Sequence, residues 1–484
     1  MPVLRLCLLL LIGAVLSSGD ELPESLRRLV DHHIFKTSVG QVGNNYDKTF
    51  PLRYAVVTRF WDPQTGPIFF YCGHELTLEH YINNTGWMWD SAEEFKAMLV
   101  FAEHRFYGKS YPRDHRKYTN ETYRIVLTTE QVLADYAKLL MHIKIEHPLA
   151  EKAPVIAIGG FYGGMLATYF RLKYSHLVTG ALASSAPVLM FPGMVPCHAF
   201  DYRLTSAFRH DSEECEQAIR DSWPLLYDQA DTDHKAVNFY QLHGVCQAIT
   251  TRSQGLFWEW MRETYINLAM YNYPERATRV RQLPAYPIAK ACEVLTTAKD
   301  NASLVEAVFK IVHMFYNQTG DVDCYDILEY FKGNPIWAFQ MCTELITTQC
   351  SDGYADMLYA RQWNLKKFRE SCQQRFGVKP EPRKLYETYG TRFLTYSNII
   401  FSNGEFDPWT SLGYVLPGSE TVIPILIRGG AHQQDLCFAS PLDSRELVRA
   451  RKEEKKHILK WVDEARMRED VPTMYDSETE RDEL

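Results

Sequence analysis

The chain has 484 residues, of which 46% are hydrophobic and 23% charged, a balance typical of a folded protein with a substantial core. At roughly 100–200 residues per domain, this length predicts more than one domain, or one large domain that carries an insertion. The formal net charge of −8 argues against a nucleic-acid-binding protein, which usually presents a basic face.

The first residues are typical of a secretory signal peptide, which we place at 1–19. Arg5 supplies a positive flank, residues 6–15 form a short apolar run, and residues 17–19 offer small side chains for cleavage. The apolar run is shorter than the about 20 residues of a membrane-spanning helix, and no later segment is long enough, so we predict no membrane span. Four N-glycosylation sequons fit the secretory route, at Asn83, Asn120, Asn301 and Asn317.

The first half of the chain alternates strand and helix patterns. A capping box of Thr128 and Gln131 begins a helix with one apolar face, and the pair His147-Pro148 ends it. Strands that alternate with helices predict a mostly parallel sheet with helices on both faces. The predicted strands are residues 54–61, 66–73, 97–108, 154–158 and 178–185, and a second helix is predicted at 164–174.

Between residues 191 and 375 helical spacing replaces the strand pattern. Eleven cysteines are present; Cys7 would leave with the signal, and eight of the other ten lie in this stretch. In an oxidising compartment they favour disulfides over metal ligands. We therefore predict a disulfide-stapled helical insertion. Strand patterns return at 398–404 and 421–430, and a charged helix follows at 441–468, whose run RARKEEKKH we interpret as a solvated face.

The stretch PVIAIGGFYGGMLATYFRLKY, residues 154–174, passes from an apolar strand through a Gly-rich turn into a helix. Hydrolases hold their nucleophile at the apex of such a turn, where glycines two positions to either side let strand and helix pass. Here the apex residue is Phe161, which cannot attack a carbonyl. A Gly-rich junction of a nucleotide-binding fold is the alternative, but the pattern G-G-x-x-G-G fits neither of the usual phosphate-binding patterns.

An acid and a histidine follow two late strands in the order that this kind of hydrolase requires. Asp407 comes after the strand predicted at 398–404, and His432 comes after the one at 421–430. Alone, each residue would more often be structural. Their order behind an elbow favours a catalytic pair.

The sequence HELTLEH at 74–80 has two histidines, as a zinc-protease helix does. They are six residues apart instead of four, so they would not share a helix face. We therefore predict no metal and no cofactor.

Five blocks of sequence carry a resemblance to a known family. With them the chain resembles the Pro-X carboxypeptidase and dipeptidyl peptidase II family of serine exopeptidases, and the Pro-X carboxypeptidase branch more closely. The resemblance covers nearly the whole mature chain and implies an α/β-hydrolase fold with an inserted helical lid. It also implies that the substrates are peptides with proline near an end, and it is compatible with a homodimer. The blocks are GGFYGGML (159–166), NGEFDPW (403–409), GGAHQQDL (429–436) and the longer stretches 83–110 and 267–288.

The resemblance assigns roles to matching positions. Asp407 matches the triad acid and His432 the triad base. Met165 and Trp409 match residues that line the family's proline pocket. Tyr162 matches the residue whose backbone N–H helps to form the oxyanion hole. In the loop YCGHELT at 71–77, the resemblance assigns the retained Gly73 to the oxyanion hole, together with Tyr162, and the retained Glu75 to substrate binding.

This chain departs from the family's pattern at several positions around the site. Family members have serine where Phe161 stands, so the nucleophile is missing. We therefore interpret the chain as a peptidase homologue of the secretory route that is catalytically inactive. The other departures are His74 for asparagine, Leu76 for glycine, Thr77 for an acid, Gln433 for a second histidine and Cys437 for arginine.

Three alternatives stay open. The chain is an active serine-type exopeptidase whose phenylalanine is a sequence error or an engineered change, or a non-catalytic peptide-binding or regulatory protein on the same scaffold. An esterase is the third, although it needs the same serine. The additional departures favour natural loss of activity.

The resemblance also implies the disulfide pairs Cys197–Cys350, Cys215–Cys292, Cys246–Cys324 and Cys342–Cys372. Cys72 and Cys437 remain, both beside the site. We hypothesise that these two cysteines form a disulfide with each other. The alternative is that both remain buried as reduced thiols.

The predicted units are the signal peptide at 1–19, the two parts of the α/β-hydrolase core at 20–190 and 376–470, the lid insertion at 191–375 and an acidic tail at 471–484. The family implies the lysosome or secretion. The terminal Arg-Asp-Glu-Leu is similar to an ER-retrieval signal, so the ER lumen is an alternative location.

Overall fold

The computed structural model describes residues 24–41, 46–112, 120–276 and 282–469. The predicted signal peptide and the acidic tail with its terminal Arg-Asp-Glu-Leu lie outside these residues. The described strands form one sheet in the order β1-β2-β4-β3-β5-β6-β7-β8. They are β1 Asp31–Gly40, β2 Tyr46–Val57, β3 Ile68–Cys72, β4 Met98–Ala102, β5 Val155–Gly160, β6 Gly180–Ser184, β7 Ile399–Gly404 and β8 Val422–Ile427.

The sheet is mostly parallel, as predicted. Strands β4, β3, β5, β6, β7 and β8 pair in parallel, whereas β1 and β2 are antiparallel to each other and β2 is antiparallel to β4. The sequence pattern predicts only the last part of β2. The first half of β1 lies mainly exposed at the sheet edge, so its side chains carry little apolar signal.

The strand predicted at 97–108 ends at Ala102 because a tight turn follows it. Phe106 and Gly108 have φ angles of 67° and 54°, in the left-handed region. The buried carboxylate of Glu103 accepts hydrogen bonds from the backbone N–H of Lys109 at 3.0 Å and from the Ser110 hydroxyl at 2.7 Å. A polar side chain therefore organises a turn within a largely apolar stretch.

Helices cover both faces of the sheet because successive strand residues point to opposite sides. On β3, Phe70 packs in the cluster that holds α5 and α6, whereas Phe69 and Tyr71 pack in the cluster that holds α2, α3 and α17. The helices are α1 Glu24–Arg27, α2 Leu78–Asn84, α3 Gly86–Phe95, α4 Asn120–Val126, α5 Thr129–Glu146, α6 Tyr162–Lys173, α7 Ala199–Asp211, α8 Glu213–Gln229, α9 Asp233–Leu242, α10 Gln254–Met270, α11 Pro287–Leu295, α12 Asn301–Tyr316, α13 Ile327–Lys332, α14 Pro335–Thr343, α15 Leu365–Phe376, α16 Lys384–Tyr389 and α17 Arg445–Glu469.

The predicted start of α5 is observed. The Thr128 side chain accepts a hydrogen bond from the backbone N–H of Gln131 at 3.3 Å. The side-chain oxygen of Gln131 accepts from the backbone N–H of Gln41, at the end of β1, at 2.6 Å. The cap therefore also ties α5 to the edge of the sheet.

The helices α7 to α16 lie between β6 and β7 in the chain, and in its described residues this stretch adds no strand to the sheet. Four disulfides join these residues, and each pairing implied by the resemblance is confirmed. A disulfide that closes a long loop restricts the unfolded chain and typically contributes about 2–4 kcal/mol. The structure therefore has an α/β-hydrolase architecture with a disulfide-stapled helical insertion.

The described sequon asparagines differ in exposure. Asn301 is exposed at the first residue of α12, and Asn83 is half-buried in α2. Asn317 is only 8% exposed; its Nδ2 donates to the Val322 carbonyl and its Oδ1 accepts from the Val322 N–H, both at 3.0 Å. Asn120 begins α4, but its side chain is outside the described set. Among the described helices none is both long and apolar enough to span a membrane.

Candidate active site

The junction between β5 and α6 has the geometry of a nucleophile elbow. Phe161 lies between the strand and the helix with φ 54° and ψ −120°. Such a backbone conformation costs a non-glycine residue roughly 1–3 kcal/mol. The strand and helix approach so closely that a Cβ at Gly159 would lie 2.2 Å from the Gly163 carbonyl oxygen. The Gly-rich pattern is therefore required by this crossing, and the apex residue is held in the strained position.

The predicted acid and histidine meet beside the elbow. Asp407, directly after β7, accepts a hydrogen bond from the Trp409 backbone N–H at 3.0 Å with one carboxylate oxygen. Its other oxygen accepts from Nδ1 of His432 at 2.8 Å. The carboxylate is fully buried and the imidazole is 5% exposed. This arrangement orients the imidazole with Nε2 as its acceptor nitrogen.

The ring of Phe161 fills the space in front of this pair. It is 4% exposed, and its centroid lies 4.6 Å from that of Trp409 and 5.8 Å from that of His432. On the lid side, Trp337 of α14 lies 6.1 Å away. Burying such a ring contributes about 1.5–3 kcal/mol. That gain is large enough to offset the backbone strain of the apex.

Nε2 of His432 is bonded to the side chain of the next residue. The Gln433 amide nitrogen lies 2.9 Å from it and, within the described part of the chain, is its hydrogen-bond partner. The nearby hydroxyls have other bonds: Ser184 donates to Asp435 at 2.6 Å, and Thr168 donates to the Gly164 carbonyl at 2.9 Å. Among the described residues, no hydroxyl or thiol lies within hydrogen-bonding distance of Nε2 of His432.

The predicted proline-pocket residues are brought to the same place. Trp409 is 2% exposed and contacts the Phe161 ring, and its other aromatic neighbour is Phe200 of α7 at 5.0 Å. Met165 is 1% exposed in the first turn of α6, where its backbone N–H donates to the Phe161 carbonyl at 3.1 Å. Both residues belong to the packed core around Phe161.

The loop after β3 carries the departing residue His74 against the elbow. Gly73 has no room for a side chain, since a Cβ would lie 2.1 Å from the Ala102 carbonyl oxygen. The His74 ring lies over Gly163, where a Cβ would be 2.9 Å from the ring. Its Nδ1 is 3.0 Å from a carboxylate oxygen of Glu75, and both side chains are 5% exposed. Glu75 is therefore engaged by a neighbour at the position where the resemblance expects a substrate contact.

The backbone donors of the predicted oxyanion hole are in different situations. Tyr162 is the first residue of α6, so its N–H has no acceptor within the helix. In the loop after β3, the N–H of His74 donates to the Tyr81 hydroxyl at 2.9 Å. The Tyr162 N–H is thus a donor that its own helix leaves unused, whereas the N–H of His74, next to Gly73, is already bonded.

A buried polar network, absent from the sequence predictions, lies behind Tyr162. Its hydroxyl is 3.3 Å from Nε2 of His104 and accepts from the Gln340 amide at 3.1 Å. Burial lowers the pKa of His104 to about 3, so this imidazole is neutral. Its Nδ1 donates to the Arg105 carbonyl at 2.6 Å, which makes Nε2 an acceptor for Tyr162. His104 lies within the stretch 83–110 that carries the family resemblance, whereas Gln340 comes from the lid, where no sequence pattern marked it.

The loop that carries His432 is anchored to α17. Arg451 donates to the carbonyls of Asp435 at 2.8 Å and Gln434 at 3.0 Å. Glu454 is fully buried and accepts from the Ser402 hydroxyl at 2.8 Å. The interpretation of the run at 449–457 as a solvated face is therefore wrong for Arg451, which is 8% exposed, and for Glu454.

The hypothesised bond between Cys72 and Cys437 is wrong, because the two residues do not pair. Cys72 ends β3 with its side chain in the same core cluster as Ile68 and Phe70, and burial raises the pKa of its thiol. The Cys437 sulfur instead lies 3.7 Å from the Gln433 carbonyl oxygen, in the loop that Arg451 holds. The two cysteines thus lie in different surroundings, Cys72 in the core at the end of β3 and Cys437 in the loop that Arg451 of α17 holds.

Comparison with known proteins agrees with this architecture. Residues 41–454 match the model of the serine carboxypeptidase S28 family. The lysosomal Pro-X carboxypeptidase of Homo sapiens is 39% identical over 433 residues, which cover 88% of this chain and 87% of the human protein. That of Mus musculus is 37% identical over 478 residues, 94% and 97% of the two chains. Prolyl carboxy peptidase like protein 5 of Caenorhabditis elegans is 35% identical over 487 residues, 95% of each chain. The chain therefore belongs to the serine carboxypeptidase S28 family.

Proposed function

We propose that this chain is a Pro-X carboxypeptidase-like member of its family that does not hydrolyse peptides. The observation that carries the proposal is the residue at the elbow apex: the ring of Phe161 packs against Trp409 and His432, where an attacking hydroxyl is needed. A phenyl ring can neither attack a carbonyl nor give a proton to the imidazole. Loss of a triad nucleophile typically lowers turnover by about a million-fold.

The neighbouring loop supports the same proposal. An enzyme without its nucleophile retains about 10³–10⁴-fold catalysis over water only while the oxyanion hole and substrate binding remain. Here the side chain of Glu75, which the resemblance assigns to substrate binding, is bonded to His74, and the N–H of His74, next to Gly73, is bonded to Tyr81. We therefore expect little residual catalysis.

The substrate class of the relatives enters as a proposal about binding. Their names refer to Pro-X carboxypeptidases, so peptides with proline near an end are the ligands expected of this scaffold. By resemblance Trp409 and Met165 line the proline pocket, and Phe161 packs on Trp409 at 4.6 Å. We propose that the Phe161 ring fills this pocket. We also propose that the chain has a regulatory role that does not require peptide binding in the pocket. A homodimer remains part of the proposal on resemblance alone, and light scattering of the purified chain measures it.

A second candidate is an active serine exopeptidase in which position 161 is serine and the phenylalanine is a sequence error or an engineered change. The intact bond of 2.8 Å between Asp407 and His432 favours it, as does the elbow conformation at φ 54°. Serine would fit the same backbone.

The lysosome is the proposed compartment, reached by the secretory route that the relatives' names suggest. Burial raises the pKa of Asp435, Glu344 and Glu454, and protonated carboxyls are favoured in an acidic lumen. The terminal Arg-Asp-Glu-Leu makes the ER lumen the competing proposal. Imaging the tagged chain with and without these four residues distinguishes them: a shift from the ER to the lysosome upon deletion supports retrieval.

The test of activity uses the secreted chain, its F161S variant and F161S/H432A as the matched control. We expect the native chain to release no C-terminal residue from Pro-X peptides and to resist a fluorophosphonate probe. Turnover by the native chain that such a probe abolishes would contradict the proposal. Turnover of F161S that disappears in F161S/H432A would instead show that a single position separates the scaffold from an active enzyme.

A further inference from the structure

The residue after the histidine has a role in the site that neither the family pattern nor the missing nucleophile explains. Nδ1 of His432 donates to Asp407 at 2.8 Å, which leaves Nε2 with a single in-plane lone pair. The Gln433 side-chain amide donates to that lone pair at 2.9 Å. We call this hydrogen bond the Gln433 cap.

The cap is built into the backbone of the site. Gln433 has a φ of 51°, in the left-handed region that non-glycine residues seldom adopt. Its backbone N–H donates to the Ser185 hydroxyl at 2.9 Å, and its carbonyl accepts from the Leu436 N–H at 3.2 Å. Both ends of the residue are therefore fixed to the core and to its own loop.

The elbow itself makes room for the carboxamide. A Cβ at Gly160 would lie 2.2 Å from Oε1 and 2.4 Å from Cδ of Gln433, so the amide lies directly over this glycine. The Phe161 ring also lies beside the imidazole, with centroids 5.8 Å apart and planes at 65°. Close packing against Gly160 keeps the amide nitrogen 2.9 Å from Nε2.

We propose that Gln433 is a second block on the site, independent of Phe161: it is a positioning residue that occupies the nitrogen on which a nucleophile must rely. This inference rests on the proposed loss of activity and deepens it. A serine restored at 161 would have to donate its hydroxyl proton to Nε2, where the Gln433 amide already donates. The serine and the amide compete for one lone pair, so restoring the serine alone leaves the general base partly blocked.

The covalent step that tests the inference is the reaction of a restored serine with a fluorophosphonate. The serine oxygen forms a bond to phosphorus, fluoride leaves, and the hydroxyl proton passes to Nε2 of His432. Only an Nε2 with its lone pair available accepts this proton. The labelling rate therefore reports whether the cap is present.

The experiment compares F161S with F161S/Q433A in the full secreted chain. We expect F161S/Q433A to be labelled roughly 3- to 10-fold faster, the range that one neutral hydrogen bond supports. F161S/Q374A, which changes an exposed glutamine of α15, is the matched control and should react like F161S. F161S/Q433A/H432A should lose the gain, because the gain acts through the imidazole.

Equal labelling of F161S and F161S/Q433A, at any rate including zero, would overturn the inference and leave the proposed inactivity of the native chain untouched. Labelling of the native chain would contradict the proposed inactivity, but it would not affect the comparison of F161S with F161S/Q433A. A measurement that needs no activity is the ¹⁵N spectrum of selectively labelled histidine. In the native background, Q433L should move the Nε2 signal of His432 toward that of a nitrogen without a hydrogen-bond donor. An unchanged signal would also overturn the inference that Gln433 caps this nitrogen.

Discussion

The ring of Phe161 meets the indole of Trp409 edge-on, with centroids 4.6 Å apart and planes at 67°. Trp409 also packs against Phe200 of the lid, with ring centroids 5.0 Å apart, and the ring of Trp337 of the lid lies 6.1 Å from that of Phe161. Such aromatic pairs contribute about 0.5–1.5 kcal/mol each beyond their burial. The residue that removes the nucleophile is therefore also a packing contact between the core and the lid.

The first prediction concerns the two opposing effects at this position. Phe161→Ala leaves a cavity between core and lid, so we expect the free energy of unfolding to fall by about 3–5 kcal/mol. Phe161→Gly leaves the same cavity but relieves the strain of a φ of 54°, and it should lose about 1 kcal/mol less than the alanine variant. Urea titration followed by tryptophan fluorescence measures both.

Phe170 is the matched control for this comparison. It is fully buried inside α6, where a helical backbone favours alanine over glycine. Phe170→Gly should therefore be less stable than Phe170→Ala. The same order at both positions would mean that the apex of the elbow is not strained.

The second prediction concerns the filled pocket. Shortening Phe161 removes the ring that packs on Trp409. F161S/H432A should therefore bind a Pro-X peptide at least about tenfold more tightly than the native chain, about 1.4 kcal/mol. Isothermal titration calorimetry at one pH compares the two proteins. F161S/H432A/W409A should lose the gain; binding that survives the tryptophan change, or equal affinity of the native chain, would refute a pocket filled by Phe161.

The third prediction concerns the carboxyls under the His432 loop. Desolvation, reinforced by the neighbouring Asp435, raises the pKa of Glu454 from 4.5 to about 8. The folded chain therefore keeps a proton that the unfolded chain loses above pH 4.5. This contribution to stability is full below pH 4.5 and declines as the pH rises toward 8.

Replacing Glu454 with glutamine removes that titration. Between pH 5 and 8 the native chain should lose at least about 1 kcal/mol more stability than E454Q, measured as unfolding free energy at a series of pH values. Asp463→Asn, at an exposed position of the same helix, is the control and should follow the native curve. Parallel curves for the native chain and E454Q would contradict the buried, protonated carboxyl.

The fourth prediction separates two sequons by their surroundings. Asn301 is exposed, so Asn301→Gln should remove the mass of one glycan from the secreted protein, as read by intact mass spectrometry. Asn317 is 8% exposed and bonded twice to the Val322 backbone, so Asn317→Gln should leave the glycan mass unchanged. It should instead lower stability by about 1–2 kcal/mol, because two buried hydrogen bonds are lost. A glycan found on Asn317 would contradict this assignment.

Several features could be predicted from the sequence because their signals are local. Apolar runs predicted the central strands, since strands buried on both faces need apolar residues throughout. The glycines around Phe161 predicted the elbow, because only glycine lets the strand and helix cross so closely. Asp407 and His432 could be predicted from their order after β7 and β8, and the structure brings them within hydrogen-bonding distance at 2.8 Å.

The tertiary structure decided which side chains meet. Trp337, from a helix of the lid, packs against the ring of Phe161. The buried partners of Tyr162 are His104, in the turn after β4, and Gln340, in the lid. The separation of Cys72 from Cys437 and the burial of Glu454 follow equally from packing between distant elements. Residue type and spacing determine which chemistry a position can offer, but a hydrogen bond or an aromatic contact depends on ångström-scale distances. Those distances exist only after the lid and the core have packed together.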